Sequence, residues 1–197
     1  MANAYFNIAE PDNEPILPYT PGSPEKATVK AKLDEMKNEA VDIPLIIGGM
    51  EVRTGNTGVL RVPHDHTLDL GVYHKAGEAE VAMAIGAALE ARKTWAEMPW
   101  EHRVSVILKA AELLAGPWRQ TINAATILGQ SKTIFQSEID AVCELIDFWR
   151  FNASYMPEIY GQQPQSAPGI WNHVEYRALE GFVFAATPFN FTSIAGN

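Results

Sequence analysis

The chain is poor in the features that several functions would need. One cysteine, Cys143, occurs in 197 residues; it excludes an internal disulfide, offers no metal-ligand spacing and fits a reducing compartment. Positive charge is also scarce. Fifteen Lys and Arg stand against 24 Asp and Glu, a formal net charge of -9, and a surface of that sign repels a phosphate backbone instead of releasing its counterions. Nucleic acid is not an expected partner. No run of about 18 apolar residues occurs, and the opening Met-Ala-Asn-Ala-Tyr-Phe-Asn has neither the basic nor the apolar stretch of an export signal. A membrane is therefore not expected either, and the expected location is cytoplasmic, or the mitochondrial matrix for a eukaryotic source. Gly48, Gly49, Gly55 and Gly58 are followed by no P-loop lysine and no G-x-G-x-x-G, so they make no phosphate loop. Internal repeats and low-complexity tracts are absent too.

What is present suits a globular domain. With 47% hydrophobic and 20% charged residues, the chain can bury a core of one domain or somewhat more. Pro11, Pro15, Pro18 and Pro21 mark residues 1–22 as an extended arm that needs a surface to lie against, with residues 23–197 as the body. Ser23 before Pro24 reads as a helix cap, followed by Val29, Leu33, Met36 and Ala40 at helical spacing. Residues 45–74 alternate short β-rich runs with glycines and Pro63, which predicts a small antiparallel meander. Residues 77–155 are helical almost throughout, with a break at Gly116-Pro117.

The last helix, over about 134–155, carries a stripe of Phe135, Ile139, Val142, Ile146 and Trp149. Phe148 and Phe151 project from its other side, which predicts burial on both faces. Residues 171–178 and the continuous apolar run 182–186 read as strands, the second of the kind that lies inside an α/β sheet. The loop after it, 187–190, stands where such sheets place a ligand.

Five groups are candidates to carry chemistry. Asn190 could donate a side-chain N–H to a developing oxyanion, or simply cap a helix starting near Thr192. Glu144 shares a helix face with Phe148 and Phe151; a carboxylate among rings suits an amino acid's ammonium group, whereas the bland reading is a solvated surface residue. Cys143 sits mid-helix with no base or helix N-terminus to activate it and reads as a small core residue. His64-Asp65-His66 reads as a polar turn with no metal, and Lys132 as helix-terminus charge.

Residues 182–192, Phe-Val-Phe-Ala-Ala-Thr-Pro-Phe-Asn-Phe-Thr, resemble the aldehyde dehydrogenase segment that ends the first cofactor-domain strand, usually read Pro-Trp-Asn-Phe-Pro. Phe before the Asn and Phe-Thr after it are similar to the branch that oxidises L-glutamate γ-semialdehyde, the open form of 1-pyrroline-5-carboxylate. Asn13-Glu14-Pro15, Gly129 to Thr133, Glu138-Ile139-Asp140, Glu144 to Phe148, Gly161 to Pro164 and Tyr176 to Phe182 agree with it, so the resemblance covers nearly the whole chain.

The resemblance implies an α/β aldehyde dehydrogenase fold, here its N-terminal portion: small antiparallel strands, a helical layer and the first strand of a Rossmann-like NAD-binding domain. It also implies roles. Asn190 matches the oxyanion donor, Thr187, Pro188 and Phe189 stand beside the nicotinamide of NAD, Phe191 packs on the aldehyde, and Glu144 receives the substrate's ammonium. The family's nucleophilic cysteine and general-base glutamate lie in later segments, so these 197 residues are expected to be inactive alone, and a homo-oligomer is expected at full length. Another aldehyde dehydrogenase of the same fold, or a non-catalytic interaction module, is the alternative.

Overall fold

The computed structural model of the protein describes residues 6–196; the first five residues of the expected arm lie outside that range. From residue 6 to 20 no helix or strand forms, as closely spaced prolines without donors of their own would dictate. Helix α1 (Pro24–Asn38) begins where the sequence implies: Ser23 is extended, its Oγ accepts the Lys26 N–H at 3.3 Å, and Pro24 takes the first turn.

Five short strands follow, β1 (Val41–Ile43), β2 (Leu45–Ile47), β3 (Met50–Val52), β4 (Thr57–Val62) and β5 (Asp65–His74). The expected all-antiparallel meander needs correction. Pairs β2–β3 and β4–β5 are antiparallel, but β1 runs parallel to β5, giving two sheets of order β1-β5-β4 and β2-β3. Parallel pairing leaves no local turn signal in a sequence. It depends here on Gly71, whose φ is +145° and where a Cβ would stand 1.9 Å from the Val41 carbonyl oxygen.

The helical layer comprises α2 (Glu78–Glu97), α3 (Trp100–Ala115) and α4 (Arg119–Gln130), the last two parted at Gly116-Pro117 as expected. Ala111 and Leu114 of α3 pack on Val142, Leu145 and Ile146. A second core joins Val62, Leu70 and Leu128, flanked by Leu33 and Met36 of α1. Each large aliphatic side chain so buried contributes about 1.5–3 kcal/mol, and together the two clusters fix α4 against both the sheet and the last helix. Among the described residues no helix is long and apolar enough to cross a membrane.

The last helix differs from its expectation in two ways. It is built from α5 (Ile134–Ser137), a π turn (Glu138–Cys143) and α6 (Glu144–Gly161). A π turn takes up more residues than an α turn, so faces counted at 3.6 residues do not continue across it. Phe135, expected in the core stripe, is consequently 64% exposed, while Ser137 and Glu138 are fully buried. The second difference concerns the far face: Phe148 is not buried but exposed at the edge of a cleft.

Beyond α6 the expected strands at 171–178 and 182–186 are not paired into a sheet; only an isolated bridge joins Ala167 and Ile170. Trp171, Leu179, Val183 and Phe184 are at least 80% exposed. Strand hydrogen bonds must come from a neighbouring strand, and none of the strands among the described residues pairs with this stretch. Point contacts hold it instead: the Gln163 amide exchanges hydrogen bonds with the Val174 backbone at 2.8 and 3.1 Å, and Arg92 Nε donates to the Leu179 carbonyl at 2.8 Å. The body is nonetheless an α/β arrangement of helices over small strands.

Candidate functional site

The π turn ends at Cys143, so Glu144 opens α6 and the helix resumes ordinary spacing from there. Glu144, Asp147, Phe148, Phe151 and Tyr155 fall on one face at intervals of three and four. With Asn13 from the arm, Asn152 and Ile194, they line a cleft of about 560 Å³. Glu144 is half-buried, and its carboxyl titrates above the usual range: burial is the main cause, the charges of Asp140 and Asp147 add to it, and Lys132 opposes them.

A second group of contacts docks the C-terminal stretch onto α4 and the π turn. The Gln130 amide, oriented to satisfy its neighbours, accepts the Phe191 and Thr192 N–H groups at 3.3 and 3.2 Å and donates to the Asn190 carbonyl at 3.2 Å. Thr126 Oγ1, which donates to the Ile122 carbonyl, accepts from Thr192 Oγ1 at 2.8 Å, and Ser193 Oγ donates to the Ala141 carbonyl at 2.6 Å. Lys132 does more than charge a helix end. Its Nζ pairs with Asp140 at 2.8 Å and sits 4.4 Å from the centroid of the Phe191 ring, a cation–π contact.

The expected site residues therefore fall into two places. Glu144 meets Phe148 and Phe151 in the cleft, and Phe191 lies outside its lining against Lys132, whose charge acts on the Glu144 carboxyl. Thr187, Pro188, Phe189 and Asn190 are exposed, Phe189 by 95%, and none lines the cleft. The helical turn Ile194–Gly196 starts four residues past Asn190, too far for Asn190 to be its cap. Sequence reasoning missed Asp147, Asn13, Tyr155 and Ile194 as cleft residues. Asp147, three positions from Glu144, carried a helical signal; Asn13, 134 residues from Asp147, carried none.

The arm reaches the cleft because of a buried ionic cluster beneath it. Glu138, wholly enclosed, accepts from Arg119 Nε (3.1 Å), the Leu17 N–H (3.0 Å), the Tyr19 hydroxyl (2.8 Å) and Asn123 Nδ2 (2.7 Å). Burial pushes the Glu138 carboxyl up, but these donors outweigh it and hold it below the ordinary range. Burial likewise works against the Arg119 guanidinium, and its bonds to Glu138 and Glu14 prevail, leaving its pKa raised. Tyr19 is pushed up to about 12 by burial and by Glu138. Burial and the Glu138 charge raise Cys143 to about 12 as well. A thiol so placed is no nucleophile at neutral pH.

Outside the cleft, His64 Nδ1 lies 2.7 Å from Ser131 Oγ where β4 turns into β5. Among the described residues no group of three or more His, Cys, Asp or Glu is placed to hold a metal ion.

Helices over small strands, with a one-sided aromatic cleft that opens on a carboxylate, make an α/β architecture with a candidate binding site. The family model for the aldehyde dehydrogenase family matches residues 55–195, and the chain belongs to that family. It is 50% identical over 196 residues to the delta-1-pyrroline-5-carboxylate dehydrogenase of Agaricus bisporus, covering 98% of this chain and 36% of that one. The mitochondrial enzyme of that name from Bos taurus is 47% identical over 185 residues, 94% of this chain and 33% of the relative. The crystal structure of the corresponding Mycobacterium tuberculosis enzyme bound with NAD superposes with a TM-score of 0.96 at 49% identity, over 100% of this chain and 37% of that one. The chain thus spans about a third of the length of these relatives.

Proposed function

We propose that this chain supplies the amine-binding wall, and one edge of the nicotinamide and aldehyde site, of an NAD-dependent dehydrogenase that oxidises L-glutamate γ-semialdehyde to L-glutamate in proline breakdown. The observation that carries the reading is the cleft in which Glu144 stands with Phe148 and Phe151. A carboxylate partly out of water gains more from an ammonium partner than a solvated one does, and aromatic faces beside it add cation–π attraction. The relatives' names support the substrate class.

The remaining assignments rest on the family resemblance. Asn190 turns its amide toward the aldehyde oxygen and donates as negative charge develops there, a contribution of about 3 to 4 kcal/mol per donor. Phe191, held under Lys132, packs on the substrate's carbon chain. Thr187 to Phe189 run exposed and unpaired, so an open backbone edge and an uncovered ring can lie against a flat nicotinamide. That fit extends to one end of NAD only, since among the described residues no glycine-rich helix start accompanies it for the pyrophosphate. NAD, when bound, accepts the hydride. We place residues 1–22 as an arm on a body of 23–197, the working protein as a homo-oligomer, and its site of work in the cytoplasm or, in a eukaryote, the mitochondrial matrix; the names of several relatives read mitochondrial.

The test is a substrate panel on a protein of the relatives' length that carries this segment. Glu144→Ala raises KM for glutamate semialdehyde far more than for an aldehyde of equal length lacking the amino group. Equal effects on the two would remove the assignment.

A further inference from the structure

The cleft is not lined by α6 alone, since Asn13 of the arm also lines it. Both oxygens of Asp147 are occupied by the arm: Asn13 Nδ2 donates to Oδ2 and the Glu14 N–H to Oδ1, each at 2.7 Å. The cation nearest in sequence on α6, Arg150, does not pair with Asp147. Its Nη1 goes to Glu14 Oε2 at 2.6 Å, and the other Glu14 oxygen takes Arg119. Arg119 is further committed to Glu138 and, at 2.8 Å, to the Pro15 carbonyl. The arm thus does two things at once. Its Glu14 draws off both arginines, and its amides hold Asp147 by neutral donors. Asp147 stays fixed in direction and, among the described residues, without an ion-pair partner, in the same cleft as Glu144. The cation on that side, Lys132, is engaged with Asp140.

We propose that the N-terminal arm is part of the amine site: Asn13 and Glu14 are positioning residues that aim Asp147 into the cleft, where it acts with Glu144 as a second carboxylate selecting substrates that carry an α-ammonium group. This rests on the reading of the cleft as an amine site. The division of labour follows from the geometry. Glu144 has rings on its own helix face and accepts the ammonium directly, while Asp147 lies one turn along and adds field without being neutralised by a side-chain cation. Asn13 spends its amide nitrogen on Asp147, which leaves its carbonyl oxygen as a further acceptor at the rim of the cleft. An ammonium has three N–H donors, and these groups offer it acceptors on two sides. An acid lacking the amino group meets the same wall as net repulsion and a neutral aldehyde gains nothing from it, so the arm works against the wrong anion as well as for the right ligand.

The experiment uses the 197-residue chain itself at pH 7, with two probes that differ only in the amino group, L-norvaline and pentanoate. Binding is followed by shifts of the backbone amide signals of residues 144–151. L-norvaline is expected to move those signals and pentanoate to bind far more weakly. Asn13→Ala and Asp147→Asn are each expected to weaken L-norvaline about fivefold to tenfold and to shrink its preference over pentanoate, which a merely structural role would not change. Asn13→Ala keeps the Glu14 bond to Asp147 and so decides the matter if Asp147→Asn loosens the arm. If Glu144→Gln weakens L-norvaline while both other variants leave its affinity and preference intact, the arm has no part in the site and the proposal is overturned, with the amine reading standing. If L-norvaline binds the unaltered chain no better than pentanoate, the proposal and the amine reading fall together.

Discussion

The hydroxyl of Tyr19 donates to Glu138 at 2.8 Å, so the arm ends its crossing on a carboxylate of the π turn that no water reaches. The same hydroxyl accepts from Asn123 at 3.0 Å. This one phenol therefore closes a network that also holds Arg119 and, through it, Glu14 and the cleft wall.

Tyr19→Phe keeps the ring and removes the hydroxyl. It leaves a buried carboxylate one donor short and should lower unfolding stability by about 1–3 kcal/mol, read as a shift in urea midpoint at unchanged slope. A loss within measurement error would mean that the arm is not held by this contact.

Alkali should unlock the same region. Tyr19 and Cys143 both rise to about 12, from ordinary values of 10.0 and 9.0. The folded state thus holds their protons more tightly than the unfolded state. Their contribution is complete below pH 9 and is lost as pH climbs toward 12, since the unfolded chain sheds those protons first. Unfolding curves taken across that window should show stability falling with pH. At pH 8 an aromatic disulfide reagent should find no reactive thiol in the native chain and one in urea; a rapid native reaction would contradict the burial of Cys143.

Two exchanges near Glu144 should move its titration in opposite directions. Lys132→Met removes the opposing cation and should raise the Glu144 pKa further, while Asp140→Asn removes a like charge and should lower it. Carbon-detected NMR titration of the Glu144 carboxyl reads both. Lys132→Met should also release the Phe191 ring, visible as loss of its ring-current effect on neighbouring signals. An unchanged titration in both variants would show that the carboxyl answers to burial alone.

The apolar stretch around residues 179–189 should make the chain self-associate. Leu179, Val183, Phe184 and Phe189 lie more than four-fifths exposed, which water opposes in proportion to their area. Light scattering should show a mass that rises with concentration. Phe184→Glu with Val183→Lys should return it toward one chain, and an unchanged mass would place the contact elsewhere.

Much of this architecture was legible from the residues. Ser23 and Pro24 marked the start of α1, Gly116-Pro117 the break between α3 and α4, and the spacing of Glu144, Phe148 and Phe151 their common face. What escaped had physical causes. A π turn has no propensity signature, so the helical count that turns Phe135 inward fails, and Glu138, which no pattern marks, is the side chain that becomes fully buried. Parallel pairing of β1 with β5 depends on the space left by Gly71 and not on any turn. The run 182–186 has the composition of an inner strand, but composition cannot supply the neighbour whose backbone would complete it. Asn13 entered the cleft through contacts 134 residues apart, beyond any local pattern.

The docking of the arm also bears on the order in which the molecule is made. Synthesis delivers Asn13 and Glu14 early, while their partners Asp147 and Arg150 follow more than 130 residues later. Closing a loop that long carries an entropic cost that only completed partners repay. On the ribosome this segment must wait, untethered, until α6 has cleared the exit tunnel. A nascent chain stalled short of α6 would show protease sensitivity at the arm beside an already protected sheet, and completion of α6 would remove that sensitivity in a single late step.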